Sequence, residues 1–178
     1  MVKGASKLLT LISVSIVLWS TPAFSQNERT FSIADERQIR RAVVAIREAI
    51  LKEDLKQLLR QISGVGLTCT DTGYSHKMIG AFLDDKTSHL YMSLFDSAQF
   101  SLRCGNEYPA QYPAISEQEF LRTANDSMLI VRTDSNWARV TLTSPNPRHY
   151  PREWSFHREG GTWKVAGGSW VVARCGRG

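Results

Sequence analysis

The spacing of apolar residues changes once along this chain, and that change restricts the fold more than any other feature. In the front part Ile39, Val43, Ile46 and Ile50 recur every three or four residues, while Arg40, Arg41, Arg47 and Glu48 point elsewhere. Such a stripe marks a helix with one buried face. From Met128 onward the period becomes two. Ala138, Val140 and Leu142 alternate with Trp137, Arg139 and Thr141, and Trp154 and Phe156 alternate with Ser155 and His157. That alternation marks half-buried strands. Helices first and strands last is the grammar of an α+β domain, because the helical stripes have only one face of a sheet to cover. The pattern predicts N-terminal helices packed on a C-terminal antiparallel meander of four to five strands.

Local signals set the expected boundaries. Ser32 with Asp35, Asp54 with Gln57, and Ser116 with Glu119 have the spacing in which a side-chain oxygen satisfies a free N–H of a helix's first turn. They predict helices starting after residues 32, 54 and 116, the last ending near Asn125. Residues 76–100 are core-forming, read as helix followed by helix or strand, with Tyr91, Phe95 and Phe100 as packing residues. Val65 to Cys69 is short and β-branched, and Asp71 to Gly73 turns the chain. Asp134, Ser135 and Asn136 separate the runs 128–133 and 137–144 as a hairpin loop would. Glu159, Gly160 and Gly161 form the next tight turn. Gly167 and Gly168 suggest a bulge or bend before Trp170 to Arg174.

The N-terminus reads as a secretory signal over residues 1–25. Lys3 and Lys7 are its basic start, Leu8 to Trp19 its apolar stretch, and Pro22 to Ser25 the break and small residues before cleavage between Ser25 and Gln26. A twelve-residue stretch is too short for a hydrocarbon core of about 30 Å. Residues 26–178 then form a single domain, expected in the periplasm or outside the cell. An oxidising compartment changes the reading of the three cysteines. Their positions contain no C-x-x-C, which removes paired zinc knuckles and thioredoxin-type chemistry. Cys69 and Cys104, each beside turn residues and bracketing one helical segment, are the expected disulfide. Cys175 is left over near the end of the chain.

Removing Lys3 and Lys7 from 22 basic residues leaves 20 against 17 acidic ones, a net charge of +3. The surplus is uneven. Residues 128–178 hold eight basic and three acidic residues, and residues 26–127 hold twelve and fourteen. A basic tail favours an anionic partner, and most simply it is a solvated sheet face. Export argues against nucleic acid, so an anionic envelope component or a protein partner is the expected target.

The sequence has no G-x-S-x-G, H-E-x-x-H, P-loop or G-x-G-x-x-G, so the hydrolases, zinc proteases and nucleotide binders that carry these motifs are disfavoured. No catalytic residue, metal set or cofactor is assigned. Asp85 and His89 have helical i, i+4 spacing, which is too few ligands for a metal and reads as a surface ion pair. His157 and Glu159 lie at period two on one strand, with Tyr150 and Arg152 just before. These four are the candidate ligand-binding residues, able in principle to converge on an acid/base or anion site. Against that, Trp154 and Phe156 claim the opposite face for the core.

The run Ile50, Glu53, Asp54, Leu55, Leu59 on an early helix and the closing hairpin Trp154 to Val165 (Trp, Phe, then Glu, Gly, Gly, Thr, Trp, Lys, Val) resemble the ketosteroid isomerase-like α+β cone superfamily. The resemblance spans about half of residues 26–178. It implies helices filling the concave side of a curved sheet and a cavity between them. It does not imply a reaction, since no catalytic residue of that superfamily matches a position here, and the cysteines and the long Cys69 to Cys104 segment depart from its pattern. The resulting expectation is a non-enzymatic binding domain of the bacterial envelope for a protein partner or a small ligand. The alternatives are an enzyme with a cone pocket acting through acid/base residues, which a deep apolar cavity with one buried carboxylate or His would favour, and an inhibitor or immunity protein, which a protruding loop such as 108–113 or 145–151 with no internal pocket would favour.

Overall fold

A computed structural model describes residues 32–69, 72–104 and 115–170, without the side chains of Cys69 and Arg132. The expected signal segment, the 108–113 loop, Cys175 and the run after Trp170 lie outside the described residues. Two helices open the chain, α1 (Ile33–Leu51) and α2 (Leu55–Gln61). A short pair of strands follows, β1 (Leu67–Cys69) and β2 (Thr72–Tyr74), then α3 (His76–Asp84), α4 (His89–Phe95), α5 (Ser97–Cys104) and α6 (Glu117–Thr123). Four strands complete it: β3 (Met128–Arg132), β4 (Trp137–Leu142), β5 (Arg152–Glu159) and β6 (Thr162–Gly168).

The caps form where the sequence places them. Ser32 Oγ accepts from Asp35 N at 3.0 Å, Asp54 from Gln57 N at 2.9 Å and Ser116 from Glu119 N at 3.1 Å. Ser75 and Ser88 cap α3 and α4 in the same way. The region 76–100, left open between helix and strand, forms helices α3, α4 and the start of α5, broken at 85–88 and at 96. One expectation fails here. The chain leaves α3 at Asp84 and enters α4 only at His89, so Asp85 and His89 do not share a helix. Asp85 instead accepts from Thr87 N and Oγ1, bonds that hold its carboxyl below the usual range.

Among the described residues the sheet has six strands in the order β2-β1-β6-β5-β4-β3. The predicted meander is β3 to β6, antiparallel throughout, with Trp137 opposite His157, Arg139 opposite Ser155 and His157 opposite Lys164. Gly160 and Gly161, at φ 53° and 82°, supply the positive-φ turn between β5 and β6. Two additions were not anticipated. Thr72 to Tyr74, read as the end of a turn, pairs antiparallel with β1, and β1 runs parallel to β6 through Thr68 and Gly167. Only glycine fits that junction, since a Cβ on Gly167 would stand 2.6 Å from the Thr68 carbonyl oxygen. The expected irregularity is present as a register shift opposite these glycines, between Ser155 and Phe156.

Among the described residues α1 lies against β6 and also touches α2, α4 and α6, and α4 touches α3, α5 and α6. The stripe Ile39, Val43, Ile46, Ile50 meets Phe120, Leu142, Trp154, Phe156, Trp163 and Val165 in a single core. Burying side chains of this size contributes about 1.5–3 kcal/mol each. Phe100 packs with Met92 and Cys104 in a smaller cluster. The expected pairing of Cys104 with Cys69 falls on a side chain outside the described residues.

Candidate functional site

The sheet has a face covered by helices and an open face, and the sequence candidates divide between them. Arg152 shares the covered face with Trp154 and Phe156. It lies 3.2 Å from the Glu117 carboxylate, donates to the Ile115 carbonyl at 3.0 Å, and its guanidinium sits 5.1 Å from the Phe120 ring centre. His157 and Glu159 have the other parity and lie on the open face. The His157 ring packs on Trp137 at 4.6 Å, and its Nδ1 is 3.4 Å from Glu159. Glu159 is anchored in turn by the Ser63 hydroxyl and by Gly64 N at 3.1 Å, in the loop after α2. Tyr150 is exposed on the loop before β5. The four residues therefore do not converge: one pair faces outward, Arg152 faces inward, and Tyr150 belongs to neither set.

Glu117 is the functional candidate that sequence reasoning missed. It is 2% exposed at the first position of α6, and it accepts from Trp154 Nε1 at 2.9 Å while its own N–H donates to Ser93 Oγ at 3.1 Å. Burial pushes its carboxyl up, while Arg152 and then Trp154 pull it down. An acid in the first turn of a helix ordinarily means a solvated residue near the positive end of the dipole, so nothing local distinguished this one. Gln118 Nε2 and Trp170 Nε1 are buried without a hydrogen-bond partner among the described residues, and Arg152 Nε has only its 3.2 Å ion-pair contact with Glu117. Trp170 stands edge-on to Trp154 at 5.7 Å. Asp35 forms a second tie of this kind, accepting from Trp163 Nε1 at 3.0 Å, with Arg158 at 3.6 Å.

Chemically the two faces offer different things. On the covered face a carboxylate, a guanidinium and an indole satisfy one another inside a packed core. On the open face Glu159 is held ionised, its pKa lowered from 4.5 to about 2; its bonds from Ser63, Gly64 and His157 outweigh the upward push of burial. Beside it a hollow of about 650 Å³ is lined by Thr68, Trp137, Arg139, Glu153, Ser155 and Gly167, among others. A second depression of about 520 Å³ follows the outer flank of α1 around Arg41 and Val44. The loop 145–151 does not stand away from the domain: His149 bonds Asn146 at 3.0 Å and Thr123 of α6 at 3.2 Å. Among the described residues no group of three or more metal-ligating side chains occurs, and no helix is long and apolar enough to cross a membrane.

No protein-family model matches the chain, and no curated protein matches it closely enough to count as a relative. Solved structures are similar to it in outline. One is a protein of unknown function with a cystatin-like fold from Nostoc punctiforme, 14% identical, covering 78% of this chain and 90% of its own, with a TM-score of 0.44. Another is an NTF2-like protein with a cystatin-like fold from Novosphingobium aromaticivorans, 10% identical, covering 76% and 80%, with a TM-score of 0.42. A third is an NTF2-like protein of unknown function from Shewanella baltica, 13% identical, covering 78% and 94%, with a TM-score of 0.41. The function of this chain rests on its own residues.

Proposed function

We propose that this chain is an exported, non-enzymatic binding domain of the bacterial envelope that meets its ligand on the open face of its sheet. One observation carries the reading. The carboxylate that a cone enzyme would need, Glu117, is 2% exposed and engaged by both Arg152 and Trp154, whereas the open face presents a hollow of ligand size. Catalysis by Glu117 would require breaking an ion pair within a packed core before a substrate could reach it. Export follows from the signal-like residues 1–25, and the proposed Cys69–Cys104 disulfide suits that compartment.

Isotope-labelled protein titrated with the small-molecule and polysaccharide fractions of an envelope extract tests the binding surface. Amide shifts clustered at Arg139, Ser155 and Gly167 are expected. Shifts centred on Glu117 and Trp154 would instead support a cone enzyme. Fractionation with N-terminal sequencing should recover a periplasmic or extracellular chain beginning at Gln26, and a cytoplasmic chain retaining residues 1–25 would end the export proposal. Denatured native-source protein should show one reactive thiol, and three would rule out the disulfide.

A further inference from the structure

The hollow on the open face owes its shape to backbone packing. Strands β4, β5, β6 and β1 cross it side by side, three inter-strand spacings or about 14 Å in width. Its floor is bare where Gly167 and Gly168 lie. A Cβ on either would come within 2.6 Å of a carbonyl oxygen, that of Thr68 or of Glu153 respectively. The close approach of neighbouring strands thus forbids side chains there, and the concavity exists before any ligand arrives.

Around that floor stand groups of unlike chemistry. Trp137 supplies an aromatic wall whose ring is steadied by the His157 ring behind it. Arg139 and Glu153 are 3.9 Å apart and both more than half exposed, so donors of the one and acceptors of the other remain to be used. The hydroxyls of Thr68 and Ser155 make no hydrogen bond among the described residues. Ser169 Oγ is in part committed, accepting from Glu153 N at 3.3 Å. The hollow therefore offers one aromatic surface and a ring of donors and acceptors with balanced charge.

We propose that this hollow is a glycan site, taking a short run of sugar rings from a neutral oligosaccharide or from the uncharged part of an envelope polysaccharide. The inference rests on the open face being the ligand surface and adds the class of ligand. A pyranose ring has an apolar C–H face and hydroxyls around its rim that each donate and accept. The first fits Trp137, and the second fits guanidinium, carboxylate and hydroxyl groups at the margin. A polyanion would meet Glu153 as well as Arg139. A second copy of this chain would need to bury about 800 Å² of surface per partner around an apolar centre, and the exposed Leu129 and Val131 of β3 lie outside the residues lining the hollow.

The test is an amide and indole NMR titration of the purified chain with chitotriose, cellotriose and maltotriose, beside hexaglutamate and sedimentation velocity. Saturable shifts from at least one sugar at Thr68, Ser155, Gly167 and the Trp137 indole are expected. Trp137→Ala and Arg139→Ala should each weaken that binding about tenfold, and Arg139→Ala should leave the melting temperature nearly unchanged. No shift with any sugar at millimolar concentration overturns the glycan assignment. So does binding of hexaglutamate alone to the same residues, an outcome that leaves the open face as the ligand surface. Saturable sugar shifts mapped to α1 or to Glu117 overturn the assignment and the open-face reading together. Dimerisation that produces the same shifts without ligand makes the face an interface between copies and overturns both.

Discussion

The two faces of the sheet are made from the same strands and behave as different materials. On the covered face the middle of β5 is sealed: Trp154 and Phe156 are wholly buried, and even the polar members of the layer, Glu117 and Asp35, spend their oxygens on the indoles of Trp154 and Trp163. On the open face the intervening residues Glu153, Ser155, His157 and Glu159 retain contact with water and hold polar valences in reserve. Alternation alone makes the difference. A strand that commits one parity to a core leaves the other free for recognition. A buried carboxylate is thus weak evidence for catalysis when its partners are buried with it, and an unremarkable solvent face is where binding chemistry remains.

Truncation on the covered side should cost most. Trp154→Ala removes a wholly buried indole that also donates to Glu117, and about 3–5 kcal/mol of unfolding free energy is expected to be lost in a denaturant titration. A loss below about 1 kcal/mol would mean that the covered face is not the core.

The ion pair gives a sharper contrast. Glu117→Gln and Arg152→Met should each destabilise by about 3 kcal/mol, because either leaves a buried polar partner unmatched. The double variant should recover most of that loss, since burial already opposes the Glu117 charge and the amide oxygen still accepts from Trp154. If the two losses add, the groups do not act as a pair and Glu117 is freer than its geometry indicates.

Gly167→Ala tests the seam between the faces. Its Cβ would press on the Thr68 carbonyl, so β1 should part from β6 at a cost of about 1–3 kcal/mol, with faster amide exchange at Leu67 to Cys69. Glu159 tests the margin of the open face through pH. Its folded pKa lies below the ordinary 4.5, so its stabilising effect is complete above that value and disappears as pH falls toward about 2. Wild type should therefore melt above Glu159→Gln at pH 7, by about 1 kcal/mol, and the gap should close on acidification toward pH 2. A gap that widens in acid would reverse the sign of the shift. The smallest effect is expected for Arg139→Ala, within about 0.5 kcal/mol, because that side chain is exposed and makes only a long ion pair.

What was legible in the sequence was local. The caps at Ser32, Asp54 and Ser116 need a partner three residues on, and the Gly160–Gly161 hairpin needs only adjacent residues, so both could be read in order along the chain. The split between Trp154 and Phe156 on one side and His157 and Glu159 on the other was likewise contained in period two. The strand β2 was hidden because three residues beside Asp71 and Gly73 look like turn until β1 is placed against them. Asp85 and His89 looked like helix neighbours because spacing was counted across a break that Thr87 helps to make.

The sequence by itself determined the order of helices and strands, the parity of the long strands and the glycine turn between β5 and β6. Those follow from dihedral preference, hydrogen-bond reach and the alternation of side chains within a few residues. Only the tertiary structure decided that Glu117 meets Arg152 and Trp154, that Asp35 meets Trp163 across 128 residues, and that bare glycines beside Thr68 open a hollow on the outer face. These are meetings between segments far apart in the chain, set by how the layers pack. The burial and pairing that decide what a polar group can do have no counterpart in the residues next to it.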